Sequence, residues 1–443
     1  MLHRFQNMKM SAKVRKLALT LACAGLSLLA GLYPTLAPAS LVGIAAAALA
    51  TPRNYLPSLA IWVFVLIPIG YMDVSRAVGR YLTPAAIIVF VWQARIILAH
   101  PERLGRSTIA SALSTLAITF ALLSSAAGSY SIFTSVAWIL TFFVCILMPL
   151  IGGAVSDDDV STSLARTLAT VGIFVGAVSA LDFFFQMNPW SSLYKDQINL
   201  KTWSVFRTRS SLGHPLVAGV LGSACLATCI FARDSLPRWL MLSGATGSII
   251  ATLLTVSRTA VLAVIAGLAV GLVSQIMFGS NRARVRAIGG ILISCILVGV
   301  LLFSPLLSER NNSSGGENSA LYRVDGLHNA FQMFSERPIL GFGPGTSADA
   351  YADLYSGLLE SSALQLLVSL GMIGSALVFL GFFLLLMAGL RRGAIWEVSA
   401  LTAVSVGISG FSAIDSNPGI LVIFSALLYM LRRRIRRVSN SAH

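Results

Sequence analysis

Fourteen apolar runs follow one another along this chain with only short polar breaks: near 17–33, 37–51, 55–70, 82–99, 108–127, 131–152, 164–185, 213–232, 237–255, 258–278, 286–305, 363–389, 395–411 and 417–431. A membrane-crossing helix needs about 20 apolar residues, with roughly 17–25 tolerated. Inside hydrocarbon every backbone amide and carbonyl must be satisfied internally, and a helix does this within one segment. Hydrophobic residues make up 56% of the 443 and charged residues 11%, against about 25% charged in soluble domains. The expected fold is therefore all-α: a polytopic transmembrane helix bundle of about 12–14 spans, forming a single integral membrane domain over residues 1–443. The second run and the last two are short, which suits re-entrant or tilted segments.

The net charge of +15 does not point to nucleic acid. A nucleic-acid face gathers basic residues on one folded surface with stacking aromatics, whereas here they cluster beside span ends. Lys13, Arg15 and Lys16 precede the first run, and Arg282, Arg284 and Arg286 separate the tenth from the eleventh. Arg391 and Arg392 follow the twelfth, and Arg432, Arg433, Arg434, Arg436 and Arg437 follow the last. With fourteen spans all four clusters share one side, which the positive-inside rule makes cytoplasmic. Both termini are then expected inside. A first external loop (186–212) and a large external loop (306–361) lie on the opposite side of the membrane.

The first loop carries Trp190, Tyr194 and Trp203, aromatics suited to an interface. The second opens with a polar stretch, NNSSGGENS, that reads as disordered. From Leu321 to about Phe334 apolar residues then recur at helical spacing, predicting an amphipathic helix. Pro338 ends it, and Gly341, Gly343 and Gly345 form a tight turn where backbone is able to approach a ligand closely.

Arginine placement is the sharpest chemical signal. Arg258 sits in TVSRTAVLAVIAGL between two apolar runs with almost no loop around it. An arginine at a helix centre costs about 2.5–3.5 kcal/mol on insertion scales, so one kept near that depth is a functional candidate, with snorkelling to headgroups as the alternative. On the same external side stand Arg207, Arg209 and, opening the amphipathic segment, Arg323. Guanidinium groups match phosphate oxygens bidentately and stay charged, so these arginines suit a diphosphate.

Other polar residues carry less. The N-terminus has a basic region, an apolar region and LAPAS, the outline of a signal peptide; a retained first span suits the immediate succession of further spans better. Cys23, Cys145, Cys225, Cys229 and Cys295 lie in apolar runs without disulfide or metal spacing, and Cys225 and Cys229 share a helix face as packed small residues. Five scattered histidines give no metal site. Asp157, Asp158 and Asp159 fall on the cytoplasmic side, as a solvated turn. Asp73 and Asp182, at span ends, are positioned to pair with arginines.

Four segments together resemble the bacterial O-antigen polymerase and O-antigen ligase superfamily. RTRSSLGHPLVAG is similar to that family's Arg-x-x-Gly/Ser-x-x-x-Asn/His-Pro segment, with Arg207 as its Arg and His214-Pro215 at its end. TVSRTAVL resembles the Ser-Arg-Thr/Gly element, with Arg258 as its Arg. RVDGLHNAFQMFSERPILGFGPGT is similar to the periplasmic-loop element that runs from an arginine to Pro-[LI]-[LI]-Gly-x-Gly-x-Gly. ESSALQLLVSLGMIG resembles the segment after it, and the likeness spans roughly 200 to 390. It implies a glycosyltransferase at the outer face of the inner membrane, with no cofactor and no metal. Its donor is a glycan on undecaprenyl diphosphate, its acceptor a glycan, and a chain-length regulator is an implied partner. Arg258 and Arg207 would act on the reacting diphosphate; Arg209, His214, Arg323, His328 and the three glycines would bind substrate.

The chain departs from the ligase pattern where that pattern has His-Asn: here the pair is Glu360-Ser361. Glutamate still serves as a general base if partial burial raises its pKa toward neutrality. Helix-end solvation is the plainer role for it. His328 lies seven residues after the loop-helix Arg and so does not replace that His. The change favours polymerisation of repeat units over ligation to lipid A core. A lipid-linked oligosaccharide flippase is the alternative of another class, for which internal repeats are expected and none is visible; a noncatalytic assembly partner is a third.

Overall fold

The structure, a computed structural model, describes residues 12–67, 83–103, 109–156, 158–193, 205–279, 281–415 and 418–440. Among them there is no strand, and every one of the fourteen apolar runs contains helix. In chain order these are α1 (Ala12–Leu32), α2 (Ala37–Ala50), α3 (Leu56–Leu66), α4 (Pro84–Ala99) and α5 (Ile109–Ala126). Next come α6 (Ile132–Phe142), joined through a π-helical turn, Phe143–Leu147, to α7 (Met148–Val155), and then α8 (Ser161–Phe185). Then follow α9 (Pro215–Phe231), α10 (Arg238–Leu254), α11 (Arg258–Phe278), α12 (Asn281–Leu302), α13 (Pro305–Asn311), α14 (Ser314–Glu336) and α15 (Ser347–Tyr355). The chain ends in α16 (Ser362–Arg391), α17 (Ile395–Ser409) and α18 (Leu421–Asn440).

Five helices are long and apolar enough to cross a bilayer by themselves, or six if α12 and α13, bent by 48°, count as one. Others are shorter: α3 has 11 residues and α2 has 14. At 1.5 Å per residue these rise only about 16–21 Å against a hydrocarbon core of about 30 Å. The chain is a polytopic helical membrane protein whose bundle mixes full spans with short ones.

Small residues bring the helices together. A Cβ on Gly176 of α8 would stand 2.3 Å from the Gly247 carbonyl of α10, and one on Gly247 would stand 2.5 Å from the Gly172 carbonyl. Lipid gives helices no hydrophobic reason to associate, so such backbone contact carries the packing. Cys225 and Cys229 are buried on α9 beside this seam, each touching one of its glycines.

The two ends of the bundle differ. At the end away from residues 306–361, Asp159 takes ion pairs from Arg433 (3.3 Å) and Arg437 (3.0 Å), so it is more than a solvated turn residue. Arg436 (2.7 Å) and Arg103 (3.2 Å) donate to Ala154 and Val155, the carbonyls at the end of α7. Those groups lack intrahelical partners, and the arginines supply them. Asp157 and Asp73 lie outside the described residues, as do Tyr194 and Trp203.

At the other end, α16 breaks at Gly371, which takes φ 64° and ψ −170°. The break frees carbonyls, and the glycine turn captures them: Phe342 N–H donates to Val368 (2.9 Å) and Gly343 N–H to Ser369 (3.0 Å). Met372 N–H reaches back to Pro338 (2.8 Å). The segment between α14 and α15 is thereby docked into the bundle wall. The amphipathic helix α14 itself begins at Ser314, seven residues before the expected Leu321, so helix replaces part of the stretch expected to be disordered. Glu317 in its first turn suits the helix dipole.

Candidate functional site

Side chains from five separate segments meet at the end of the bundle that carries α14. The loop before α9 supplies Arg207, which is buried and donates from Nε to the Thr255 carbonyl at the end of α10 (2.9 Å). Arg258 is the first residue of α11, whose N-cap Ser257 accepts from Ala260 N–H (3.2 Å). Its Nε donates to Asn311 Oδ1 (2.6 Å), which ties the start of α11 to the end of α13. Arg323, on α14, faces Glu360 just before α16, with Nε 3.5 Å from Oε2 and both side chains about a third exposed (36% and 37%). The N-cap of α16 is Ser361, whose side chain accepts from Leu364 N–H.

Arg310, in α13, is the residue that motif reading misses. It interacts electrostatically with Arg258, Arg323 and Glu360, and also with Arg207. Burial, then Arg258 and Arg323, hold its guanidinium below the usual arginine value, with Glu360 opposing. Burial, then Arg310, push Arg207 down to about 9; Glu360 pulls it back and Arg323 adds to the depression. Arg207, Arg310 and Arg323 thus share the Glu360 carboxylate, and Arg258 adjoins them through Arg310. The only signal for Arg310 in the sequence was a charge in a polar stretch, SERNNSSGG, one turn beyond a span.

Arg209 and His214 adjoin this cluster. Arg209 is buried, and its N–H donates to Asp182 Oδ2 at the end of α8 (3.0 Å), so Asp182 meets an arginine as expected. His214 is the N-cap residue of α9, stacks on Phe411 with ring centroids 5.9 Å apart, and has Arg207 and Arg209 as its charged neighbours.

The other expected site residues stand elsewhere. His328 is exposed on the outward side of α14. Gly341, Gly343 and Gly345 all have positive φ, and the close approach they permit is to the bundle itself. A Cβ on them would stand 2.4 Å from the Ser369 carbonyl, 2.4 Å from Ser129 Oγ and 2.6 Å from Trp138. A buried carboxylate near them, Asp415, was likewise not anticipated. It accepts from Ser369 Oγ (3.0 Å) and Ser347 Oγ, joining α16 and α15 to the turn before α18. Ser362 adds to that joint, accepting from Ala413 N–H (2.9 Å). Among the described residues no group of three or more His, Cys, Asp or Glu comes together as a metal site.

A cluster of guanidiniums with the Glu360 carboxylate thus stands at one end of a polytopic helical bundle. Residues 243–379 match the family model described as O-antigen ligase, so this part of the chain is similar to that family. The matched segment runs from within α10 to within α16 and contains Arg258, Arg310, Arg323 and Glu360; Arg207 joins them from outside it. No curated protein matches the chain.

Proposed function

We propose that this protein is a polysaccharide polymerase. It transfers a growing glycan from a polyprenyl diphosphate carrier to a hydroxyl of a lipid-linked repeat unit, at the periplasmic face of a bacterial inner membrane. The observation that carries the proposal is the set Arg207, Arg310 and Arg323 around Glu360, with Arg258 beside Arg310.

The acceptor oxygen attacks the anomeric carbon and its proton passes to Glu360. The bond from that carbon to the diphosphate oxygen breaks, and the lipid diphosphate leaves with one more negative charge. Arginines fixed around the diphosphate oppose that charge more strongly as it develops than before, and only such a difference accelerates the step. The donor also neutralises guanidiniums that otherwise surround Glu360. An apolar cleft lined by Ser362, Phe142, Phe382, Phe424 and Leu428 begins two residues from Glu360 and suits the isoprenoid chain. No step uses a metal or a soluble nucleotide sugar.

Purified protein given a lipid-linked repeat unit should lengthen the glycan. A flippase would instead move the substrate across liposomes unaltered, and that outcome would refute polymerisation. The family description favours a second product, transfer to lipid A core. Supplying both acceptors separates the two: glycan appearing only on lipid A core would make the protein a ligase. A chain-length regulator, if it is a partner, should narrow the length distribution without being required for turnover.

A further inference from the structure

The outward side of α14 carries a run of exposed apolar residues, with His328 and Ser335 among them. Its inward side packs Gly326, Ala330 and Met333 beneath Tyr351, Leu359 and Val368, with Asn329 Nδ2 donating to Tyr351 OH (3.1 Å). On the other side Leu321, Val324, Leu327 and Phe331 are 56%, 66%, 46% and 53% exposed. At 100° per residue these four fall within a sector of about 120°, roughly opposite the packed face. Asp325, Gln332 and Glu336 form a polar flank beside them.

Both ends of α14 are tied to membrane helices. Upstream, α12 ends at Leu302, followed by Phe303 (86% exposed) and the bent helix α13. Downstream, Arg337 donates to the Gly128 carbonyl, just past α5 (2.8 Å), and Ser124 Oγ of α5 donates to Leu340 (2.6 Å). Pro338 accepts from Met372, inside α16. A helix of 23 residues, about 34 Å long, is thus joined to bundle helices at both ends. Along α12, Ile288, Leu292 and Ile296 are 64%, 66% and 60% exposed, as a lipid-facing surface requires.

We propose that α14 is seated in the leaflet at its end of the bundle, with Leu321, Val324, Leu327 and Phe331 in the boundary between headgroups and acyl chains, and that this lipid seat holds Arg323 against Glu360. An amphipathic helix with a polar flank binds an interface in this way, through buried apolar area. The partner is a phospholipid surface, because the chain enters α14 from the apolar pair α12 and α13 and leaves it bonded to α5 and α16. The link to Arg323 rests on the proposed function of the arginine cluster, whereas the lipid seat does not.

The test uses the full chain in nanodiscs of phosphatidylethanolamine and phosphatidylglycerol, in a Cys295→Ser background, since the other four cysteines are buried. Nitroxides are placed on Val324→Cys, Phe331→Cys, Asp325→Cys and Gln332→Cys. Collisions with oxygen should dominate over those with a water-soluble nickel chelate at 324 and 331, and the order should reverse at 325 and 332. Nickel reaching 324 and 331 as readily as 325 and 332 would overturn the lipid seat. Exclusion of both reagents with an immobilised spectrum would also overturn it, in favour of a protein partner or second copy. These data stand whether or not the protein polymerises glycan. For the link to the site, Phe331→Asp should lower turnover toward that of Arg323→Ala, while Phe331→Leu keeps it; unchanged turnover in Phe331→Asp would sink the link.

Discussion

Glu360→Gln tests the proposed base, and the structure sets how large an effect must be to count. The carboxylate pairs with Arg323 at 3.5 Å, and both side chains are more than a third exposed. Such a solvated pair is worth at most about 1 kcal/mol, which is about fivefold in a rate. If Glu360 only steadies Arg323, the amide should cost no more than that. A general base contributes roughly 10²–10⁴-fold, so the two roles differ by well over an order of magnitude. The assay is extension of a lipid-linked repeat unit by purified protein, read as glycan length on a gel and normalised to folded protein. Glu360→Gln should lose turnover while retaining donor, and Glu360→Asp should keep a fraction, its carboxylate being withdrawn by one methylene. Glu360→His should outperform Glu360→Gln, because imidazole accepts a proton and the amide does not. Turnover of Glu360→Gln within about fivefold of wild type would refute the base and leave Glu360 as an ion-pair partner.

Arg207→Ala, Arg258→Ala and Arg310→Ala should each abolish or severely reduce polymer at normal protein level, and the lysine variants should also fail, because a point charge lacks the bidentate fork; normal polymer from Arg310→Ala would remove it from the site. Donor retention depends on charged Arg207, whose value is pushed down to about 9, so affinity should hold below that pH and fall as pH rises through it. Arg207→Ala should erase that step in a binding titration between neutral pH and pH 10. Gly341→Ala places a Cβ 2.4 Å from the Ser369 carbonyl at positive φ and should cost at least about 1–3 kcal/mol, seen as a lowered Tm, whereas Gly299→Ala, with open space around it, should not. Cysteines at Ser191 and Glu336 should label from the periplasmic side of the membrane and one at Asp234 should not; labelling of Asp234 from that side would overturn the proposed orientation.

The helices were legible because a span writes itself as one long apolar run, and all fourteen runs hold helix. The site was legible only in part. Arg207, Arg258, Arg323 and Glu360 sit beside motifs that stand out in an apolar chain. Arg310 does not, because its position depends on how α13 bends from α12 and on Asn311 meeting Arg258. The glycine turn was read as a ligand cradle for a related reason. SLGMIG looks like uninterrupted helix, so nothing in it announces the Gly371 break whose freed carbonyls the turn captures. Asp415 stayed hidden because its serine partners lie 46 and 68 residues away.

The arrangement of helix ends bears on why the cluster is kept. The helices α9, α11 and α16 all begin at this end, next to His214, Arg258 and Glu360 respectively. A helix N-terminus carries about half a positive charge, so Arg258 in the first turn of α11 stands at the unfavourable pole. Placing a cation there, rather than at a C-terminus, costs roughly 0.3–1 kcal/mol, and the mutual repulsion that depresses Arg207 and Arg310 adds to it. Glu360 alone does not balance four guanidiniums and three helix N-termini. Burial of Arg207 and the bond from Arg258 to Asn311 hold the charges in place without a ligand, so little reorganisation is left for the moment of reaction. An anion that gains charge as its bond breaks is the species such a field stabilises most, which is the ground on which the proposal puts the leaving diphosphate, and not the neutral sugar, among these arginines.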